Sequence, residues 1–197
     1  MASGPQIKAN LMEVCRLIRE ASTQGADMVV LPECFALMAM KDAENIELAE
    51  EYGHGQIQDA ISQCAIENNI WIVAGSLPMK PDDSSQSDSE QSNSEQIEKV
   101  FTASLMFDNQ GEIVARYNKI HLFDVDLEGE ESYRESDIFE AGEDIVVVDT
   151  PFGRIGLSIC YDLRFPLLYR EMVKQGAEIF LIPPLLLILR ERFTGSR

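Results

Sequence analysis

Arg154-Ile-Gly-Leu-Ser-Ile-Cys160, followed at once by Tyr161-Asp-Leu-Arg164-Phe-Pro166, is an apolar run that ends on a thiol and turns into a polar stretch. A strand that carries a thiol to its C-terminal tip ahead of a helix is where an α/β protein presents a nucleophile. Two further runs end in the same manner. Asp27-Met-Val-Val-Leu31 leads into Pro32-Glu33, and Glu112-Ile-Val-Ala-Arg-Tyr117 leads into Asn118-Lys119. A thiol, a carboxylate and an ammonium, each just past a β-like run, are the groups that cysteine-based acyl transfer requires.

Working outward, Leu11, Val14, Cys15 and Ile18 share one helical face, and Gly25 stops that helix before the strand at 28–31. Ile57, Ala60, Ile61, Cys64 and Ala65 repeat the helical spacing, and Ile70-Trp-Ile-Val-Ala-Gly75 supplies the next buried strand. Hairpin-type turns at Asp108-Asn-Gln-Gly111 and Thr150-Pro-Phe-Gly153 then bring antiparallel pairs, over 100–107 with 112–117 and 145–149 with 154–160. A helix at 165–175 and a strand at 178–182 follow. The reading is an α/β chain with mixed sheets and flanking helices.

The chain has 197 residues, 45% of them hydrophobic, enough for one substantial core and a single domain. Sixteen basic side chains against thirty-four acidic ones give a net charge of −18, which repels phosphate backbones and anionic membrane surfaces. Neither nucleic acid nor membrane is an expected partner. The longest apolar stretch, 180–189, has ten residues including Pro183-Pro184, short of the ~20 needed to span a bilayer. Cysteines at 15, 34, 64 and 160 form no CxxC pair and share no ligand spacing with His54 and His121, so neither a metal nor another cofactor is expected. No signal-peptide pattern opens the chain, which points to the cytoplasm and to reduced thiols. Cys15 and Cys64 read as buried and inert, Cys34 as packing, and both histidines as structural. The stretch at 81–98, with six acids and no base, reads as a disordered surface loop.

Leu31-Pro-Glu33-Cys-Phe, Arg116-Tyr-Asn-Lys119-Ile-His-Leu-Phe-Asp and Gly156-Leu-Ser-Ile-Cys160-Tyr-Asp-Leu-Arg-Phe-Pro, in this order, resemble the nitrilase superfamily of carbon–nitrogen hydrolases. Lys119 to Asp126 and Tyr133-Arg-Glu135-Ser are similar to its Nit-type branch, which includes deaminated glutathione amidase and ω-amidase. The resemblance implies an α-β-β-α sandwich, a Glu33–Lys119–Cys160 triad and hydrolysis of a small amide, with a homo-oligomer compatible with it. It runs from about residue 1 to 182. The opening resembles the family's segment just after its first strand, and 183–197 reads as a non-homologous tail. A chain with those ends is expected to expose apolar faces and to self-associate.

The implied roles agree with elementary chemistry. A thiol of pKa ~8.5 needs a partner to take its proton, here Glu33. Lys119 and the Tyr161 N–H would stabilise the oxyanion. Read singly, Cys160 is a small core side chain, Glu33 a strand-end carboxylate and Lys119 a surface charge. None of these explains the shared order. Glu135 remains open between a solvated loop acid and a group that positions Lys119. Arg164 remains open between a substrate-carboxylate anchor and a partner of Asp162. Two functions stay in view: an amidase releasing ammonia through a thioester, or a non-catalytic remnant that pairs with a longer homologue.

Overall fold

The structure is a computed structural model that describes residues 3–39, 41–82, 99–125 and 133–185. Most of the acidic stretch at 81–98 and most of the tail after 182 therefore lie outside the described residues. Helix α1 (Ile7–Thr23) buries Ile7, Leu11, Val14 and Ile18 at helical spacing, and it closes where Gly25, at φ 89°, lets the Ala26 N–H reach back to the Ala21 carbonyl. Strand β1 (Met28–Val30) and the short helix α2 (Asp42–Glu47) follow, then α3 (Gln56–Asn68) and β2 (Trp71–Met79). Helix α2 had no signal in the apolar pattern, because its six residues include four acids or amides.

Strands β3 (Val100–Phe107) and β4 (Ile113–Asn118) complete the path β1-β2-β3-β4, with β1 parallel to β2 and the other two pairings antiparallel. The two-residue strands β5 (Asp124–Val125) and β6 (Tyr133–Arg134) pair with each other, and β7 (Phe139–Glu140) lies parallel to the start of β3. A second sheet runs in the order β10-β9-β8, built from β8 (Val147–Thr150), β9 (Gly153–Leu157) and β10 (Ile179–Leu181), with α4 (Pro166–Lys174) between β9 and β10 in sequence.

The two-residue side-chain period sorts these strands into layers. Ile72, Ala74, Leu105 and Phe107 pack with Leu11, Val14, Ile18, Ile57 and Ile61 of the α1/α3 layer. Val73, Met106 and Tyr117, on the opposite face, pack against Ile155, Leu157 and Ile159 of the second sheet. Behind that sheet sits α4. The Met172 sulfur would lie 2.8 Å from a Cβ at Gly156, and the Tyr169 ring meets Phe180 edge-on at 5.2 Å. The order of layers is α-β-β-α, as expected.

Two readings are corrected. The strand expected to run through Cys160 ends at Leu157, because Ser158 and Ile159 leave the β8 ladder and Cys160 opens a 3-10 turn over Cys160–Arg164. Cys15 and Cys64 are not reduced, separate thiols. The apolar faces that carry them pack on each other, which brings their Cα atoms to 5.9 Å, within bridging range, and the two form a disulfide. Closing a loop with a sequence separation of 49 restricts the unfolded chain. Cys64→Ser should therefore lower the unfolding free energy by about 2–4 kcal/mol, read by urea denaturation without reductant, and added reductant should bring the unsubstituted protein to the same value.

Candidate active site

The acid, the ammonium and the thiol are positioned from three strand ends. After β1, the Leu31 N–H is held by the Val73 carbonyl and the Cys34 N–H by the Ser76 hydroxyl, so the Pro32–Cys34 corner lies on β2. It lies there where the β2–β3 register shifts, between Ala74 and Leu77. Gly75 sits in that irregularity. A Cβ at this position would run into the backbone carbonyls of Leu31 and Pro32, so only glycine admits the approach. Lys119 continues β4, with its N–H on the Thr102 carbonyl and its own carbonyl accepting from Gly142.

Glu33 and Lys119 are buried side chains, 7% and 2% exposed, and the Lys119 Nζ lies 3.0 Å from Glu33 Oε1. Glu135 joins the same cluster. It is not a solvated loop acid: it is buried in the 3-10 turn Glu135–Asp137, and both its oxygens accept from Lys119 Nζ, at 3.1 and 2.9 Å. The Phe123 N–H and the Thr102 hydroxyl add bonds at 2.7 and 3.3 Å to the same carboxylate. Burial alone would depress the Lys119 ammonium, but the Glu33 and Glu135 charges outweigh it and hold its pKa above the ordinary lysine value.

Cys160 is half-buried at φ 42°, and its N–H is fixed by the Pro183 carbonyl at 3.0 Å. Burial first, and then the neighbouring Glu33, push its thiol above the ordinary value against the pull of the Leu185 backbone N–H and of Lys119. These influences favour the protonated form of the sulfur. Cys34 is pushed up to about 12 by burial and then by Glu33, so it is the less reactive of the two free thiols. Tyr161 stands edge-on to Phe123 at 5.0 Å and to Phe165 at 5.4 Å, forming an aromatic wall beside the thiol. Arg164 is exposed and makes no ion pair with a described residue, including Asp162. Asp162 is instead fully buried and bonded to Tyr117 and His121. Sequence reading missed that linkage, although an Asp two residues after the start of a short turn is a familiar cap for the preceding N–H.

Among the described residues no cluster of His, Cys, Asp and Glu is disposed to hold a metal, and no helix is long and apolar enough to cross a membrane. The arrangement defines a layered α/β protein with a buried acid–lysine–acid cluster next to a thiol at a strand-to-helix turn. The chain belongs to the carbon-nitrogen hydrolase family, whose model matches residues 2–196. It is 38% identical over 184 residues to the deaminated glutathione amidase of Yersinia enterocolitica, covering 93% of this chain and 59% of that protein. It is 33% identical over 177 residues to human omega-amidase NIT2, covering 88% of this chain and 57% of that protein. The chain thus spans less than two thirds of the length of these relatives. Among solved structures, the NitFhit protein of C. elegans superposes with a TM-score of 0.75 at 32% identity, over 92% of this chain and 42% of that one. Nit3 of Saccharomyces cerevisiae gives 0.73 at 25% identity, over 94% and 61%.

Two outcomes follow from the electrostatics. Lys119→Met leaves two buried carboxylates facing each other, and the unfolding free energy should fall by about 3–5 kcal/mol. Because the folded-state pKa of Lys119 is raised, its stabilising contribution is complete below the ordinary lysine value of ~10.4 and is lost as pH climbs through the folded value. Denaturation midpoints should therefore drop on the alkaline side in the unsubstituted protein and drop less in Lys119→Met. Separately, the rate of Cys160 alkylation against pH should inflect above the ordinary thiol value of ~8.5. An inflection near neutrality would show that the resting group is a thiolate.

Proposed function

We propose that this chain hydrolyses the carbon–nitrogen bond of a small, carboxylate-bearing amide and releases ammonia through a cysteine thioester. The observation that carries the reading is the placing of Lys119 Nζ 3.0 Å from Glu33, with that same Glu33 near enough to Cys160 for its charge to act on the thiol. The carboxylate takes the thiol proton as sulfur attacks the amide carbonyl. Lys119, held in place by Glu135, and the N–H of Tyr161 stabilise the oxyanion. Glu33 returns the proton to the departing nitrogen, ammonia leaves, and a thioester remains. Water that gives its proton to Glu33 then attacks the thioester, freeing the carboxylic acid and restoring the thiol. Arg164, four residues beyond Cys160 on the same turn, supplies a planar fork for the substrate's distant carboxylate.

The names of the relatives, deaminated glutathione amidase and omega-amidase, supply the substrate class. Glutamine-like α-keto amides and deaminated glutathione are the amides to try first. Ammonia release should be abolished by Cys160→Ala, and Glu33→Gln should lower kcat by at least ~100-fold. Hydroxylamine added during turnover should trap the acyl group as a hydroxamate. Ammonia release that persists in Cys160→Ala would eliminate the thioester route.

A further inference from the structure

Asp162 is the most completely buried charged side chain among the described residues, at 0% exposure, and it is none of the groups used in the proposed chemistry. Each of its oxygens holds two groups. Oδ1 accepts the His121 backbone N–H at 3.1 Å and faces the His121 Nδ1 at 2.7 Å. Oδ2 accepts the Tyr117 hydroxyl at 2.7 Å and the Ile159 backbone N–H at 2.9 Å. Tyr117 and His121 lie two residues before and two residues after Lys119. Ile159 immediately precedes Cys160. One carboxylate therefore ties the segment carrying the ammonium to the turn carrying the thiol.

We propose that Asp162 is a positioning residue for the hydrolysis, a bridge that fixes Cys160 relative to Lys119. The inference rests on the function proposed above. Three observations carry it. Cys160 sits at φ 42°, a backbone region a non-glycine residue keeps only where its surroundings impose it, and the bonds of Asp162 to Ile159 on one side and of Pro183 to the Cys160 N–H on the other do so. The His121 ring, bonded to Asp162, stacks on Phe165 at 3.7 Å and 9°, which pins the far end of the same turn. Burial, then the Asp162 charge, raise the Tyr117 phenol above its ordinary range, so Tyr117 acts as a donor to the bridge.

The chemistry of the bridge demands a carboxylate. Two of its donors are backbone N–H groups, one on each oxygen, and a backbone N–H can only donate. An asparagine offers one acceptor oxygen and one NH2. Whichever way it is flipped, it sets its NH2 against either the Ile159 or the His121 N–H and leaves that donor buried and unpaired. Asp162→Asn is therefore nearly isosteric, yet it releases one end of the bridge.

Two readouts test this in the full chain: ammonia release from an ω-amide, and carbamidomethylation of Cys160 by iodoacetamide, followed by peptide mass. Asp162→Asn should lower kcat by about 100-fold with KM within a few-fold of the unsubstituted value, as expected when reacting groups are displaced by ~1 Å. It should also slow the alkylation of Cys160, because the sulfur no longer meets Glu33, the base that takes its proton as it attacks the iodoacetamide carbon. That direction separates positioning from lost stability, because loosening the fold would expose the sulfur and speed its alkylation. Ile61→Val, which thins the α1/α3 core far from the bridge, should lower the melting temperature without changing either readout. Unchanged kcat and unchanged alkylation in Asp162→Asn would overturn the bridge. If Asp162→Asn does not fold, Tyr117→Phe, which removes one donor at constant shape, should slow alkylation roughly fivefold, and an unaltered rate there would overturn it equally. If the unsubstituted protein releases no ammonia from any amide offered, the proposed function falls. The alkylation comparison, which needs no substrate, then decides the bridge alone.

Discussion

Everything in the site depends on one ammonium buried between two carboxylates. Lys119 is 2% exposed, and taking that charge out of water is tolerable only because Glu33 and Glu135 meet it at 2.9–3.1 Å. The three groups together carry a net negative charge, and that excess faces the thiol. Together with burial, the larger cause, this favours the protonated form of Cys160 despite a lysine nearby. The Lys119 field is already spent on two acids, and the sulfur is left to desolvation and to the Glu33 charge.

The layers exist to keep that cluster dry and in register. The strand ends that deliver Glu33 and Lys119 belong to one sheet, and the thiol comes from the other, so the site lies across the packed faces where Val73, Met106 and Tyr117 meet Ile155, Leu157 and Ile159. Tyr117 serves both purposes: its ring fills the inter-sheet core, and its hydroxyl reaches the turn of the opposite sheet. Packing and positioning share the same residue.

Much of this could be read from the sequence because the governing patterns are local. Helical spacing at Leu11, Val14 and Ile18, continuous apolar runs at 28–31 and 70–75, and glycine-bearing turns at 108–111 and 150–153 gave the layers. The three short motifs gave the family. What could not be read depends on contacts between segments far apart in the chain. The Cys15–Cys64 bond needs two helix faces to meet, and spacing alone describes each face singly. Glu135 is buried by bonds from Phe123, Thr102 and Lys119, none of which its own acidic neighbourhood suggests. For Asp162 the sequence offers only its neighbour Arg164 as a possible partner, whereas its side chain bonds Ile159 close by and Tyr117 and His121 more than forty residues away. The strands β5, β6 and β7 have two residues each, too few to show any period.

Gly75 carries a further implication for how such a chain can drift. The carbonyls of Leu31 and Pro32 occupy the space a side chain at 75 would need, so the identity of residue 75 and the location of the acid at 33 are not independent variables. Substitution at 75 would first have to move the corner that carries Glu33, and with it Lys119. A lineage keeping its acid in this place is thereby confined to glycine at 75, while exposed positions such as Met12 and Ile66 on the outer helices carry no such constraint.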